Sequence, residues 1–538
     1  MTGEERKSIF SAVKRRWAEC VLAAIVLSSS VLSVVWVFRV PLLQNPDESS
    51  HIDYAFSIYS AGRLLNVRTP PSEWNVHPRF GGREDYEGPE STPYDWLSHQ
   101  YTLYLIDAAE FHRIRFHYEQ KVPADYGSLA YFQRLDVGAP QSPAQLPDLR
   151  PQDNPWMITA YPFLYYAVVA VCQKVLGLFG SGPAFLFVGA RLLSVVLLAA
   201  SLILTYKILL ELRVRTWRAL MLSAILAFFP LTTFVSSSVQ PDNLTMFLVL
   251  LCSYCALLFR RRESNQFRLS VVLGFALGAL LVTKYHIFLF TALAVFATVI
   301  TEHIFQRRPL RALMRQLPLL LLPSILLFSI QLWVVWGGDQ ITGGNLRSAS
   351  VSLPAGIKSA LMDYYRGGPA WVSWWGTFGW MDAPLVIWSP DFQTRVHRLL
   401  AWLTLLTLLM VFFRLVQVSV RLIRLAWRKR WRQSLRIACS NPLLTSYFLF
   451  SIFMVLLYAL SGNSFFAQGR HWFPYTLSGF VMALHYAPRV LPRLRVRRVV
   501  SNLLIAGLLV YCAVGAYYSL KTITDRYYPA AITSNGTP

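Results

Sequence analysis

A chain of 538 residues that is 54% hydrophobic, carries 17 Trp and has a mean hydropathy of +0.40 is too apolar for a soluble domain, and reads as a polytopic membrane protein. Its formal charge of +23 is not a nucleic-acid footprint, because more than half of the 51 Lys and Arg sit in short connectors between apolar runs, where they set topology and meet anionic lipid. Six scattered cysteines imply no disulfide framework, and Cys252 and Cys255, at CxxC spacing, fall inside an apolar run where packing outweighs a thiolate or metal.

In chain order, Met1–Trp17 is a basic cytoplasmic segment, and the apolar run from Ala18 to Phe38 reaches the ~20 residues a bilayer crossing takes. No small-x-small cleavage site follows, so it reads as a retained signal anchor. Directly after it comes Asn45-Pro46-Asp47-Glu48-Ser49-Ser50-His51. Two adjacent carboxylates and an imidazole one helical turn later are a costly arrangement at a membrane surface. They point to proton transfer on something lipid-borne, against the plainer reading of a structural cluster.

Tyr161–Phe179 is apolar enough to cross, but counting it would put the basic connector Lys207–Arg218 outside, so it is predicted to be an interfacial or re-entrant helix. The spans are then expected near 18–38, 184–206, 219–236, 243–259, 269–283, 287–304, 317–336, 399–418, 443–460, 472–488 and 499–519. The expected fold is an all-α polytopic membrane protein with about eleven transmembrane helices, the N-terminus inside and the C-terminus outside. It divides into a cytoplasmic segment 1–17 and a membrane module 18–336 that includes the first outer loop 39–183. A second large outer loop, 337–398, C-terminal helices 399–519 and an outer tail 520–538 complete it. Arg414–Arg436 mixes Leu, Val and Trp with eight basic residues, the composition of an amphipathic helix on the inner leaflet.

The remaining ionisable residues near predicted outer ends are Asp242, between the third and fourth spans, Lys284, between the fifth and sixth, and Arg470, where the chain re-enters at the tenth. Charge at such positions is expensive and marks function. The plain alternatives are a helix N-cap for Asp242 and snorkelling to the interface for the two cations. The aromatic run Trp371–Trp380, with Trp374, Trp375 and Trp380, either stacks on sugars or forms an interfacial belt.

Taken in order, the Asp-Glu with a nearby His after the first span, Tyr161-Pro162-Phe163-Leu164-Tyr165-Tyr166 before Arg191-Leu192-Leu193-Ser194, Pro241-Asp242 and Thr283-Lys284-Tyr285 resemble the GT-C superfamily of membrane glycosyltransferases. Within it, Ser373–Trp380 and Gln468-Gly469-Arg470-His471-Trp472-Phe473-Pro474 are similar to an uncharacterised bacterial family showing Pro-Asp-Glu-x-x-His and Gln-Gly-Arg-Tyr-x-x-Pro. The similarity covers about residues 20 to 490, and the order of motifs carries it. His471 stands where that family usually has Tyr, and Ser49-Ser50 where Pro-Ala is common. The resemblance implies a polyprenyl-phosphate or polyprenyl-diphosphate sugar donor, a glycan, lipid or protein acceptor at the outer face of the plasma (bacterial inner) membrane, and inversion at the anomeric centre. It also implies a catalytic Asp in the first outer loop.

The residue types fit that chemistry. Asp47 is the expected general base, with Glu48 and His51 orienting it or the acceptor. Arg470 and Lys284 suit the donor phosphate, one as a planar fork and the other as a compact charge. Asp242, Trp374, Trp375 and Trp380 are assigned to acceptor and sugar. No metal or other cofactor is required, although Asp47, Glu48, Asp242 and His51 could converge on a divalent cation. The partners expected are the lipid-linked donor, the acceptor and membrane lipid, with no nucleic acid. The alternatives are a lipid-linked sugar flippase or transporter, which needs ionisable residues at mid-membrane depth, and a non-catalytic polysaccharide-binding membrane protein.

Overall fold

The computed structural model describes residues 3–42, 44–45, 48–64, 161–180, 183–259, 266–336, 374–378, 383–439, 441–461 and 469–528. The apolar runs fold as helices, since a backbone in lipid finds partners for its N–H and C=O groups only within itself. They are α1 (Gly3–Arg39), α2 (Glu48–Ala61), α3 (Leu164–Leu176), α4 (Pro183–Glu211), α5 (Thr216–Phe228), α6 (Pro230–Ser236), α7 (Pro241–Leu258) and α8 (Gln266–Leu281). They continue with α9 (Tyr285–Phe305), α10 (Leu310–Ser329), α11 (Pro390–Trp427), α12 (Trp431–Ala438), α13 (Pro442–Ser461), α14 (Thr476–Val481) and α15 (Leu494–Tyr527). A hairpin of two-residue strands, β1 (Thr377–Phe378) against β2 (Ala383–Pro384), is the sole sheet among the described residues.

Among the described residues, seven helices are long and apolar enough to cross a membrane: α1, α4, α7, α9, α10, α11 and α15. The number becomes nine if α5 with α6, bent by 60°, and α12 with α13, bent by 73°, each make one span. Pro230 causes the first bend. It opens α6 without an N–H to give, and holds the preceding Phe229 in extended geometry at φ −65°, ψ 127°. Helix α3 has 13 residues, about 20 Å, well under a ~30 Å hydrocarbon core.

Two expected spans take unexpected forms. Residues 269–283 give the 16-residue α8, a short helix made to fit closely. Its Gly274 and Gly278 lie four apart against α10, where a Cβ on Gly274 would stand 2.1 Å from the Leu319 carbonyl oxygen and one on Gly278 2.9 Å from that of Pro323. Pro323 has no N–H to return to Leu319, four residues back. The carbonyl it frees is the one that the bare Gly274 backbone approaches. Residues 472–488 give no single helix but a 3₁₀ turn Gly469–Tyr475, α14, a π turn Met482–Tyr486 and a second 3₁₀ turn Ala487–Val490. Pro474 and Pro488 interrupt the ladder, and most of the segment from Phe473 to Leu484 is buried, the setting in which irregular backbone is tolerated inside a bundle.

The expected amphipathic helix Arg414–Arg436 is also corrected. Its first half continues α11, a 38-residue helix about 57 Å long that starts on a Ser389 hydroxyl accepting from the Phe392 N–H at 3.2 Å. The chain then turns at Lys429, φ 54°, and only α12 remains as a separate basic piece. Arg436 ties it to Glu302 of α9 at 3.2 Å.

Candidate functional site

The upper end of the bundle, where α1 ends and α4 and α7 begin, gathers most of the ionisable residues singled out from the sequence. At its centre is Arg191, the ninth residue of α4 and wholly buried. Its Nε donates to Glu48 Oε1 at 2.9 Å and one terminal nitrogen to Glu48 Oε2 at 2.6 Å. The remaining donors reach the carbonyls of Val37 (2.9 Å), Val40 (2.7 Å) and Pro41 (2.9 Å). A guanidinium has five N–H groups, and here each has an acceptor. Val37 is among the carbonyls a helix leaves unpaired at its C-terminus, at the negative end of its dipole, and Val40 and Pro41 follow directly on the helix. Arg191 therefore closes α1 and fixes the start of α2 in one interaction.

Glu48 departs from the expected surface carboxylate. It is fully buried, and beyond Arg191 it accepts from the Val239 backbone N–H at 2.9 Å and from Asn45 Nδ2 at 3.0 Å. A buried carboxylate without such partners would be too costly to keep ionised. Val239 lies three residues before Asp242, so the same carboxylate places the loop that leads into α7.

Asp242 sits in the first turn of α7, where a negative charge meets the positive end of the dipole, but the N-cap is Gln240. Asp242 instead pairs with Lys284, and both side chains keep a small share of exposure. Lys284 stands in extended geometry between α8 and α9. His286, the second residue of α9, lies within electrostatic reach of Lys284, Asp242 and His471. That brings the 3₁₀ turn carrying Arg470 to the same place. The Arg470 side chain lies outside the described residues, as do Asp47 and Trp380.

His51 Nδ1 shares a hydrogen bond of 2.9 Å with the Tyr166 hydroxyl of α3, and its ring meets Tyr161 edge-on at 5.1 Å. Tyr54 and Tyr166 lie 4.2 Å apart, so α2 and α3 join through a cluster of phenols. Burial pushes the Tyr54 and Tyr165 phenols up, which keeps them neutral. Helix α3 is positioned at its start by the Phe163 N–H to Gln331 Oε1 (3.0 Å) and the Leu164 N–H to the Val282 carbonyl (3.1 Å). The Tyr475 hydroxyl, 2.9 Å from Thr291 Oγ1, ties the Arg470 turn to α9.

Trp374 and Trp375 are not in this group. Trp375 is 7% exposed and meets Phe229 and Tyr511 edge-on, its carbonyl accepting from the Tyr511 hydroxyl at 2.8 Å. The half-buried Trp374 leans on Phe229 at 5.7 Å. Both belong to the cluster around α1, α5 and α15, while the charged group borders the other large cluster, around α2, α3, α7 and α9. Burying rings against the α5–α6 bend outweighs leaving them open to a sugar.

A family model described as "Predicted membrane protein (DUF2142)" matches residues 31–478. The chain belongs to this family of predicted membrane proteins. No curated protein matches it. The stretch shared with the DUF2142 family runs from within α1 to within α14, so it holds Arg191, Glu48, His51, Asp242, Lys284 and Arg470, and stops short of α15.

Arg191 was the residue sequence reasoning passed over as a site. A lone Arg between Ala190 and Leu192 in an apolar run is its own signal, since such a charge in a spanning helix needs a partner. Buried Arg526, near the end of α15, was missed as well. Its neighbour Tyr527 reaches Gln44 at 3.5 Å, which brings the end of α15 to the same upper rim.

Proposed function

We propose that this chain is a GT-C type glycosyltransferase with eleven crossings, moving a sugar from a polyprenyl-phosphate donor to a hydroxyl acceptor at the outer face of a membrane. The observation that supports the reading is the convergence of Glu48, Asp242, Lys284 and the turn of Arg470 on one end of the bundle, from four stretches far apart in sequence. Asp, Glu, Lys, Arg and His are absent from 20–38 of α1, 192–206 of α4, 243–258 of α7, 287–301 of α9 and 316–329 of α10. A flippase needs ionisable groups along a two-sided path, so this distribution favours one-sided chemistry.

In this reading Asp47 takes the proton of the acceptor hydroxyl as its oxygen attacks the anomeric carbon, and the carbon–oxygen bond to the lipid phosphate breaks with its electron pair on the phosphate. Glu48, its lone pairs held by Arg191 and the Val239 N–H, is a positioning residue that fixes the chain beside Asp47. Lys284 offers its charge to the departing phosphate in exchange for part of its pairing with Asp242, and Arg470 reaches the same anion from the 3₁₀ turn. Transfer from a radiolabelled polyprenyl-phosphate sugar, measured with purified full-length protein, tests this. Asp47→Asn is expected to keep the fold and lower transfer by at least ~10²-fold, the low end of general-base contributions. Near-normal turnover in Asp47→Asn would remove the base, and lipid translocation across vesicles without transfer would replace the enzyme by a flippase.

A further inference from the structure

At the opposite, lower end of the bundle a cavity of about 290 Å³ is walled by arginine. Arg213 and Arg215 come from the α4–α5 turn and Arg218 from the first turn of α5; Arg489 comes from the second 3₁₀ turn, and Arg497 and Arg498 from the start of α15. Among the described residues none of the six is in an ion pair. Arg191 and Glu211 are twenty residues apart on one continuous helix, so this cavity lies about 30 Å from the upper site and is independent of what happens there.

Positive charge at a cytoplasmic end is ordinary, and arginines placed only for topology spread their heads into water. These do not. Arg218 donates inward to Asn502 Oδ1 at 2.6 Å, Arg497 to the Leu491 carbonyl at 2.9 Å, and Arg489 to His485 Nε2 at 2.5 Å. The Nε atoms of Arg218 and Arg497 are buried and lack a hydrogen-bond partner. The placement also runs against local preference. Arg213 holds φ 58°, a left-handed position where glycine usually ends a helix. Arg215 occupies the N-cap of α5 with no side-chain cap, and Arg218, Arg497 and Arg498 stand at positive helix ends, where cations are disfavoured. Local rules broken together around one cavity indicate a ligand that repays them.

We infer that this cavity binds a multiply charged phosphate group, with the guanidiniums as paired forks and the starts of α5 and α15 aiming backbone N–H groups at the same anion. The volume is at the lower limit for ligand pockets, which suits a headgroup or diphosphate. The phosphate comes either on a membrane lipid or free in solution.

The test uses full-length protein in neutral detergent at fixed ionic strength. Native mass spectrometry and thermal unfolding are followed against two probes: inorganic pyrophosphate, and mixed micelles of a diphosphatidyl lipid with phosphatidylcholine micelles as blank. Wild type is expected to bind at least one probe and to unfold at higher temperature with it. Binding only of the lipid, or only of pyrophosphate, identifies the source. Arg218→Gln with Arg497→Gln should weaken binding at least tenfold, whereas Arg421→Gln with Arg424→Gln, exposed on α11, should not. Arg213→Gly relieves the left-handed strain, so it should fold at least as well as wild type and still bind more weakly. Binding of neither probe, equal loss in the α11 pair, or unchanged affinity in both cavity variants would overturn the inference.

Discussion

Arg191 and Glu48 show how much one buried pair decides at the level of single residues. Both are wholly buried, so taking away either partner leaves a charge without compensation, at a cost of about 3–5 kcal/mol. Glu48→Gln should therefore lower the unfolding midpoint of the detergent-purified protein sharply. A buried pair can often be exchanged for two apolar residues without loss. That exchange should fail here, because Arg191 also serves the carbonyls of Val37, Val40 and Pro41. The expected result is that Glu48→Leu with Arg191→Leu is no more stable than Glu48→Leu alone, and full recovery in the double variant would show that the carbonyl contacts contribute nothing. The same saturation is the reason the proposed mechanism does not use Glu48 as the base: a carboxylate that already accepts four hydrogen bonds has little left for a substrate.

Among elements, the tightest fit is α8 on α10. With no water to expel between helices in lipid, close backbone approach is what holds such a pair together, and small residues four apart permit it. Gly274→Ala would set a methyl group 2.1 Å from a backbone oxygen, and Gly278→Ala one at 2.9 Å. Overpacking costs about 1–3 kcal/mol, and the backbone must move further for Gly274. Thermal unfolding should therefore rank wild type above Gly278→Ala and that above Gly274→Ala. Equal midpoints for the two would mean that α10 slides freely along α8. The bend at Pro230 is the other junction that matters, since Trp374, Trp375 and Phe480 all lean on Phe229 beside it.

Over the whole molecule, the basic connectors should still fix which end faces inward. Single cysteines at Ser181 and Gln433, in a background lacking the six native ones, should label differently: Ser181 with an impermeant maleimide added outside, Gln433 only after permeabilisation. Protection of Ser181 from outside would reverse the assignment of the upper end. That the chain is an all-α membrane protein was legible, because apolar runs between arginine-rich connectors have few other ways to satisfy their backbone. What escaped depends on partners far along the chain. Arg191 finds Glu48 across 143 residues, and Tyr166 finds His51 across 115. Residues 472–488 are nearly as apolar as a regular span, so composition hid the three turns and the short α14, although Pro474 and Pro488 marked them. Trp374 and Trp375 misled because an aromatic run has the same composition whether it faces a sugar or a buried helix bend.

The Arg191 clamp also bears on how the chain is made. An arginine inside an apolar helix raises the cost of releasing that helix into lipid, by up to about 2.5–3.5 kcal/mol where it stands at the centre. Glu48 lies nearer the N-terminus, so α1 and the start of α2 have been synthesised by the time α4 leaves the ribosome. The partner waits for the cation. A pair formed on arrival would neutralise the charge as α4 enters the bilayer against α1, and Glu48→Gln is then expected to slow membrane insertion of α4, read as the fraction inserted in a translation assay with microsomes, with unchanged insertion counting against it.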